Sequence, residues 1–156
     1  MLIERGADPS VQGKYGKTPL HLALEEGHVE VAHMLIERGA DSSVQDNDGS
    51  TPLHLASQEG HAEVAYMLIK RGADPSARDE YGRTPLHMIS VEPYWVKPQA
   101  LAEVARILLE HGANVTDKDD DGLTPLDLAS RGGRLAEVLH VLIQHGADPS
   151  ARLNMN

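Results

Sequence analysis

Histidine and aspartate are the residues whose chemistry and spacing first suggest a site in this chain, which has 9 His and no Cys in 156 residues. His28 and His33 flank Val29-Glu30-Val31-Ala32, a pattern that resembles a zinc-binding helix. Two His ligands on one helical face need i, i+4 spacing. The i, i+5 spacing here rotates the second imidazole about 140° from the first. The sister segment has Tyr66 where His33 would stand, and His140 and His145 repeat the unsuitable spacing. His21, His54 and His87 recur at intervals of 33 residues, which distributes them along the chain instead of converging them. Asp117-Lys118-Asp119-Asp120-Asp121-Gly122 matches the first half of a calcium loop, but the position of its closing bidentate Glu is occupied by Leu128. Asn114-Val115-Thr116 forms a glycosylation sequon, in which Asn114 replaces the Asp of the sister segments. No nucleophile–base pair and no glycine-rich phosphate loop occurs. The expectation is a protein that is not an enzyme and holds no metal or cofactor.

What positions these residues is a repeat. Thr-Pro-Leu-His occurs at Thr18–His21, Thr51–His54 and Thr84–His87, and Thr124-Pro125-Leu126-Asp127 is a fourth copy, at steps of 33, 33 and 40 residues. A fixed period of this length means stacked copies of one supersecondary unit. Phe is absent and aromatic residues make up 3%, so the core must be aliphatic. Lys+Arg 14 against Asp+Glu 24 gives a formal net charge of −10. That balance argues against nucleic acid and against anionic membrane surfaces as partners. No apolar run approaches a membrane span, and the charged opening Met1-Leu2-Ile3-Glu4-Arg5 is unlike a secretory signal. Together with the absence of Cys, this leads us to expect an intracellular, cytoplasmic protein, with a nuclear location also compatible.

One unit reads as follows. Thr51 caps a helix whose first turn tolerates Pro52. Leu53, Leu55 and Ala56 give it one apolar face, and Gly60 stops it. Val64, Ala65, Leu68 and Ile69 stripe a second helix, which Gly72 ends. Asp74-Pro75-Ser76 and Asp79-Glu80-Tyr81-Gly82 supply the turns of a hairpin into the next unit. Neither short helix is stable alone, so stacking must bury the stripes.

These residues resemble the ankyrin repeat family. Gly39-Ala40-Asp41, Gly72-Ala73-Asp74, Gly112-Ala113-Asn114 and Gly146-Ala147-Asp148 match its pattern after the second helix, and Gly27-His28 and Gly60-His61 match its inter-helix turn. The resemblance implies an all-α solenoid of stacked antiparallel helix pairs joined by short β-hairpin loops. It divides the chain into a partial repeat at 1–13, repeats at 14–46 and 47–79, a repeat at 80–119 with an insertion at 91–98, and a repeat plus tail at 120–156. It also implies that the signature His makes hydrogen bonds within and between units. Ser10, Ser43, Ser76, Thr116 and Ser150 stand where some members carry a hydroxylated Asn, so that modification is not expected.

Departures from the pattern matter more for function. The third unit carries seven extra residues, within Val91-Glu92-Pro93-Tyr94-Trp95-Val96-Lys97-Pro98, where two prolines predict a loop and Ala100-Leu101 replace Gly-His. The fourth has one extra residue near Arg134-Leu135, predicting a longer turn. Met1 is in register with Met34 and Met67, so the chain is expected to begin inside a second helix, and Leu153-Asn154-Met155 replaces the Asp-x-x-Gly turn. Neither end shows a polar capping unit, which suggests a segment of a longer array or, alternatively, end-to-end self-association.

By the resemblance, a protein partner lies against the hairpin tips and first helices. The tip positions are Lys14-Tyr15, Asn47-Asp48, Glu80-Tyr81 and Asp120-Asp121, and the far ends of the first helices show Glu25-Glu26, Gln58-Glu59 and Arg131-Gly132. Tyr15 and Tyr81 are anchor candidates, since an exposed Tyr gives wide contact with a polar tip. Tip acidity rises toward the C-terminus, which favours a basic protein segment, although an acidic edge also serves solubility. Tyr94-Trp95 is either an aromatic contact point on the insertion or a cover for the shortened first helix of its unit, and packing is the favoured reading. The expected function is a protein–protein interaction module. The alternative is a structural spacer, supported by the near-identity of Met1–Ser10, Met34–Ser43 and Met67–Ser76.

Overall fold

The computed structural model describes residues 8–91 and 94–149. The expected opening helix at Met1 and the tail at Leu153-Asn154-Met155 lie outside the described residues, as do Glu92 and Pro93 of the insertion.

Four first helices begin at the repeated Pro: α1 Pro19–Glu25, α3 Pro52–Gln58, α5 Pro85–Met88 and α7 Pro125–Ala129. Each is followed by a second helix: α2 Val29–Glu37, α4 Ala62–Lys70, α6 Pro98–Glu110 and α8 Ala136–Gln144. First helices pack on first helices and second on second, so the stack has two helical layers with hairpins along one edge. No strand forms among the described residues. Each hairpin is a tight turn closed by two backbone bonds, such as Asp46 N–H to Ser50 O at 3.0 Å and Gly49 N–H to Asp46 O at 2.9 Å.

Thr-Pro-Leu-His starts each of the first three first helices by a reciprocal cap. In α3 the Thr51 N–H donates to His54 Nδ1 at 3.1 Å, and Thr51 Oγ1 accepts from the His54 N–H. Both would otherwise be orphan donors of the helix start. The other ring nitrogen reaches the next unit: His54 Nε2 donates to Arg83 O at 2.8 Å, His21 to Ser50 O at 2.9 Å and His87 to Leu123 O at 2.9 Å. A carbonyl can only accept and a backbone N–H can only donate, so each ring is the Nε2–H tautomer. The signature His therefore joins units and is fully buried in doing so. In the fourth copy Asp127 Oδ2 accepts from Thr124 N–H at 2.9 Å but carries no donor to pass on.

The core is a continuous aliphatic seam: Leu20, Leu53, Leu86 and Leu126 from the first helices, and Ala32, Val64, Ala65, Leu101, Val104, Leu108, Val138 and Leu142 from the second. Each fully buried Leu contributes about 2 kcal/mol. Tip backbones join the hairpins, with Asn47 N–H to Tyr15 O, Glu80 N–H to Asp48 O and Asp120 N–H to Tyr81 O at 2.9, 2.9 and 3.0 Å. Gly82 sits at φ 73°, and a Cβ there would lie 2.9 Å from Asp120 N, so only glycine lets the tips close up.

The two departures are accommodated away from this edge. α5 keeps only four residues, and α6 has 13 against nine in α4. Pro98 belongs to the first turn of α6 and not to the loop, and Ala100 and Leu101 are helical. In the fourth unit residues 130–135 separate α7 from α8, where 59–61 suffice between α3 and α4.

Candidate functional site

Tips and first helices meet in a groove. A cavity of about 540 Å³ is lined by Tyr81, Arg83, Ser90, Val91, Asp119, Asp121, Leu123, Leu128, Arg131, Gly132 and Leu135. Next along the stack, about 280 Å³ is lined by Glu25, Asp46, Asp48, Leu55, Gln58, Glu80 and Met88. Tyr81, Arg83 and Val91 line both cavities, so the two are continuous past Tyr81. The floor is apolar and the rim is mostly acidic.

Tyr81 is 56% exposed, and the Arg83 guanidinium carbon lies 4.7 Å from its ring centroid. Arg83 Nε is bound to Asp79 Oδ2 at 3.0 Å, and Asp79 Oδ1 accepts from the N–H groups of Tyr81 and Arg83, both at 2.9 Å. The ring thus stands on a braced cation. A hydrogen bond with the Glu80 carboxylate, and that group's charge, raise the Tyr81 phenol above its ordinary value.

Tyr15 is differently held. It is 60% exposed, with Lys14 Nζ 5.0 Å from its ring centroid, and its backbone lies at φ 62°, ψ 21°. Units two to four brace the tip with Asp46, Asp79 and Asp119, each accepting from two backbone N–H groups of the turn. The first unit has Gly13 in that place, and its tip closes instead as a single 3-10 turn, Lys14–Gly16. The same brace accounts for the calcium-like acidic run: Asp119 turns inward on its own loop, and Asp117 faces Arg78 at 3.7 Å. Among the described residues no group of three or more His, Asp or Glu is placed to hold a metal ion.

Of the sequence-derived candidates, Glu25, Asp48, Gln58, Glu80, Tyr81 and Asp121 come together in the groove. Asn47 and Asp120 lie over the preceding tip glycine as well as facing out, so they are joints between tips. Glu26, Glu59 and Trp95 are elsewhere. They line a second cleft of about 330 Å³ with Glu25, Gly27, His61, Val96, Lys97 and Ala100. Glu25 stands at the corner of both, tied to Lys17 Nζ at 2.6 Å. That hydrogen bond is the main reason the Lys17 ammonium lies above its ordinary value. Burial, helped by the nearby Glu25 charge, raises the Glu59 carboxyl, while a hydrogen bond from the Trp95 indole pulls it back.

The insertion does not pack its aromatics over α5. Tyr94 is 90% exposed and Trp95 78%, while Val96, at 6%, is the residue that turns in. A Cβ on Gly60 would lie 2.8 Å from Val96 Cγ1 and 3.1 Å from Ala100 Cβ, so the space there fits a small branched chain and not an indole. Arg134 of the fourth unit holds the loop in this pose by donating to Tyr94 O at 3.0 Å and to Val96 O.

Sequence reading also grouped Leu55 with Leu53 and Ala56. Those two are fully buried, but Leu55 lines the groove. Residues two apart on a helix point about 200° apart, which is the signal that separates them. Met88 and Leu128 occupy the same place in their units and complete the floor. Arg83 carries no such signal: its position holds Lys17, Ser50 and Leu123 in the other units.

Comparison with known proteins agrees with this architecture. A family model described as ankyrin repeats (3 copies) matches residues 1–79, 43–93 and 77–152. A protein of Escherichia coli (strain K12) named as the ankyrin repeat protein YahD is 55% identical over 34 residues, covering 22% of this chain and 17% of that protein. Among the described residues no helix is long and apolar enough to cross a membrane. From its stacked helix pairs and from these matches, the chain belongs to the ankyrin repeat family.

Proposed function

We propose that this chain is a non-enzymatic interaction module that binds a basic segment of a partner protein along the groove of hairpin tips and first helices. Ankyrin repeats are protein–protein interaction modules as a class. The observation that carries the finer reading is the groove around Tyr81, an apolar floor of Leu55, Met88, Val91 and Leu128 beneath the acidic rim of Asp48, Glu80 and Asp121. An apolar floor takes the aliphatic stems of Lys and Arg, and the rim meets their charged ends. Tyr81 adds a braced aromatic anchor of the kind that dominates interface energies.

Calorimetric titration with an oligolysine peptide, against an oligoglutamate control, tests this. The double variant Tyr81→Ala/Asp121→Asn should weaken oligolysine binding by about tenfold or more, since truncating one central anchor alone removes about 2 kcal/mol. Undiminished binding by that variant would overturn the groove as the contact surface.

A further inference from the structure

The insertion of the third unit makes a second docking surface. We infer that the exposed Trp95 ring and the Glu26 and Glu59 carboxylates beside it receive a Lys or Arg side chain of a partner's basic segment. This goes beyond the groove reading and uses a different set of residues, with Glu25 at the corner between the two.

Four observations support it. The chain has one Trp and no Phe, and it places that Trp and Tyr94 almost wholly in solvent. Exposure on that scale is costly to solubility unless something covers it. The stretch that carries them is also tied down, with Val96 seated beside Gly60 and Arg134 donating to the carbonyls of Tyr94 and Val96. Backbone already tied down by hydrogen bonds loses less entropy on binding, which favours Tyr94 and Trp95 as contact residues.

The cleft beside Trp95 determines the chemistry of the occupant. Glu25, Glu26 and Glu59 line it together with Lys97 and His61, and Lys17 is already committed to Glu25. Carboxylates therefore outnumber cations in the cleft. Glu59 is half-buried there beside the Trp95 indole, whose hydrogen bond it accepts; burial raises its carboxyl and that hydrogen bond lowers it in part. An indole face attracts ammonium and guanidinium groups, more strongly when they are desolvated.

Trp95 reports on its own site, since no other Trp contributes emission. Its fluorescence should change saturably on titration with oligolysine and not with oligoglutamate. Glu26→Gln/Glu59→Gln should raise the Kd read from Trp95 about tenfold, in line with the loss of a paired cation–π and carboxylate contact. The charge-matched variant Glu103→Gln/Glu110→Gln, on the outer face of α6, should leave it within about twofold. Equal weakening by both variants would reduce the effect to net charge and overturn the site. An emission that shifts with protein concentration and no peptide would mean that a second copy of this chain covers Trp95, which also overturns it. If calorimetry detects oligolysine binding that Tyr81→Ala weakens while Trp95 emission never moves, the groove stands and this site fails. If calorimetry detects no binding at all, both fail.

Discussion

Gly13→Asp should stabilise the protein, and the reason is visible in the three other hairpins. Asp46, Asp79 and Asp119 each take two backbone N–H groups of their turn at 2.9–3.0 Å. With that brace, Asp48, Tyr81 and Asp121 keep ordinary backbone angles. Tyr15, in the unit that lacks it, is the non-glycine residue with positive φ among those described. A bulky residue in the left-handed region costs about 1 kcal/mol or more. A new Asp would have room, because a Cβ on Gly13 meets nothing closer than Lys17 O at 3.8 Å, and φ there is −100°; its ψ of −143° must move into the extended range as the turn reorders.

The expected gain has three parts. Relief at Tyr15 is worth about 1 kcal/mol. Two exposed hydrogen bonds are worth about 0.5 kcal/mol each at the low end of their range. Loss of glycine from the unfolded chain adds about 0.5 kcal/mol. Reordering the turn and the added carboxylate offset part of this, leaving about 1–2 kcal/mol. At about 2–4 °C per kcal/mol for a chain of this length, the melting midpoint rises by several degrees. Urea denaturation of parent and variant measures it directly, as a higher midpoint with an unchanged slope. Gly13→Ala controls for the backbone contribution and should recover less than half of the gain. If Gly13→Asp leaves the midpoint where it was, the Asp brace is not what keeps the other tips out of the left-handed region. If Gly13→Ala matches it, the hydrogen bonds contribute nothing.

His54→Ala should destabilise by about 3 kcal/mol or more, because it leaves Thr51 N–H and Arg83 O buried without partners, and urea midpoints against parent will show it. Burial lowers the His54 and His87 imidazoles below their ordinary 6.5, so the unfolded chain binds more protons than the folded one just below that pH. Stability should therefore be full above about pH 6.5 and fall as pH drops through it, and His54→Gln/His87→Gln should flatten that slope in denaturation midpoints taken from pH 7.5 to about 5. Arg134→Ala should free the insertion, lowering the fluorescence anisotropy of Trp95 and costing about 1–2 kcal/mol of stability, since Arg134 donates two hydrogen bonds to Tyr94 O and Val96 O. Gly82→Ala should cost more than about 2 kcal/mol, as its Cβ would meet Asp120 N at 2.9 Å from a left-handed backbone, and thermal denaturation would expose a smaller loss as an error in the tip packing.

The fold was almost wholly legible in the sequence because its signals are local and repeated. Thr-Pro at a helix start, Gly at its end and an aliphatic stripe between them each act within one turn, and four copies reinforce one another. The candidate surface was only half legible. Tip residues next to a turn glycine must face outward, so Tyr81, Glu80 and Asp121 could be located from spacing. Whether Glu25, Glu26, Gln58 and Glu59 share a face depends on helical angle at the last turn, where one residue's difference changes the side. The structure accordingly divides them, with Gln58 in the groove, Glu26 and Glu59 in the cleft, and Glu25 in both. The pose of Trp95 was not legible, because it is decided by Gly60 and Arg134, respectively 35 residues before it and 39 after it in the chain.

The placement of the insertion explains how the stack tolerates it. His87 and Leu123 are 36 residues apart in sequence, where the corresponding pairs in the other units are 29 apart, yet the bond between them is 2.9 Å, as it is for His21. The extra residues leave the chain at the far end of α5 and return at α6, between two anchor lines that do not pass through them. One line is the row of His bonds between units, and the other is the row of tip bonds ending at Asp120. The same seven residues inserted on the hairpin side would separate Tyr81 O from Asp120 N and break the second line. Loop-closure entropy rises slowly with length, so a longer loop at a free edge costs little, whereas a lost joint costs its hydrogen bond and the stacking behind it. Variation in this chain is accordingly greatest where a new surface can form without disturbing the joints, and that is where Tyr94 and Trp95 stand.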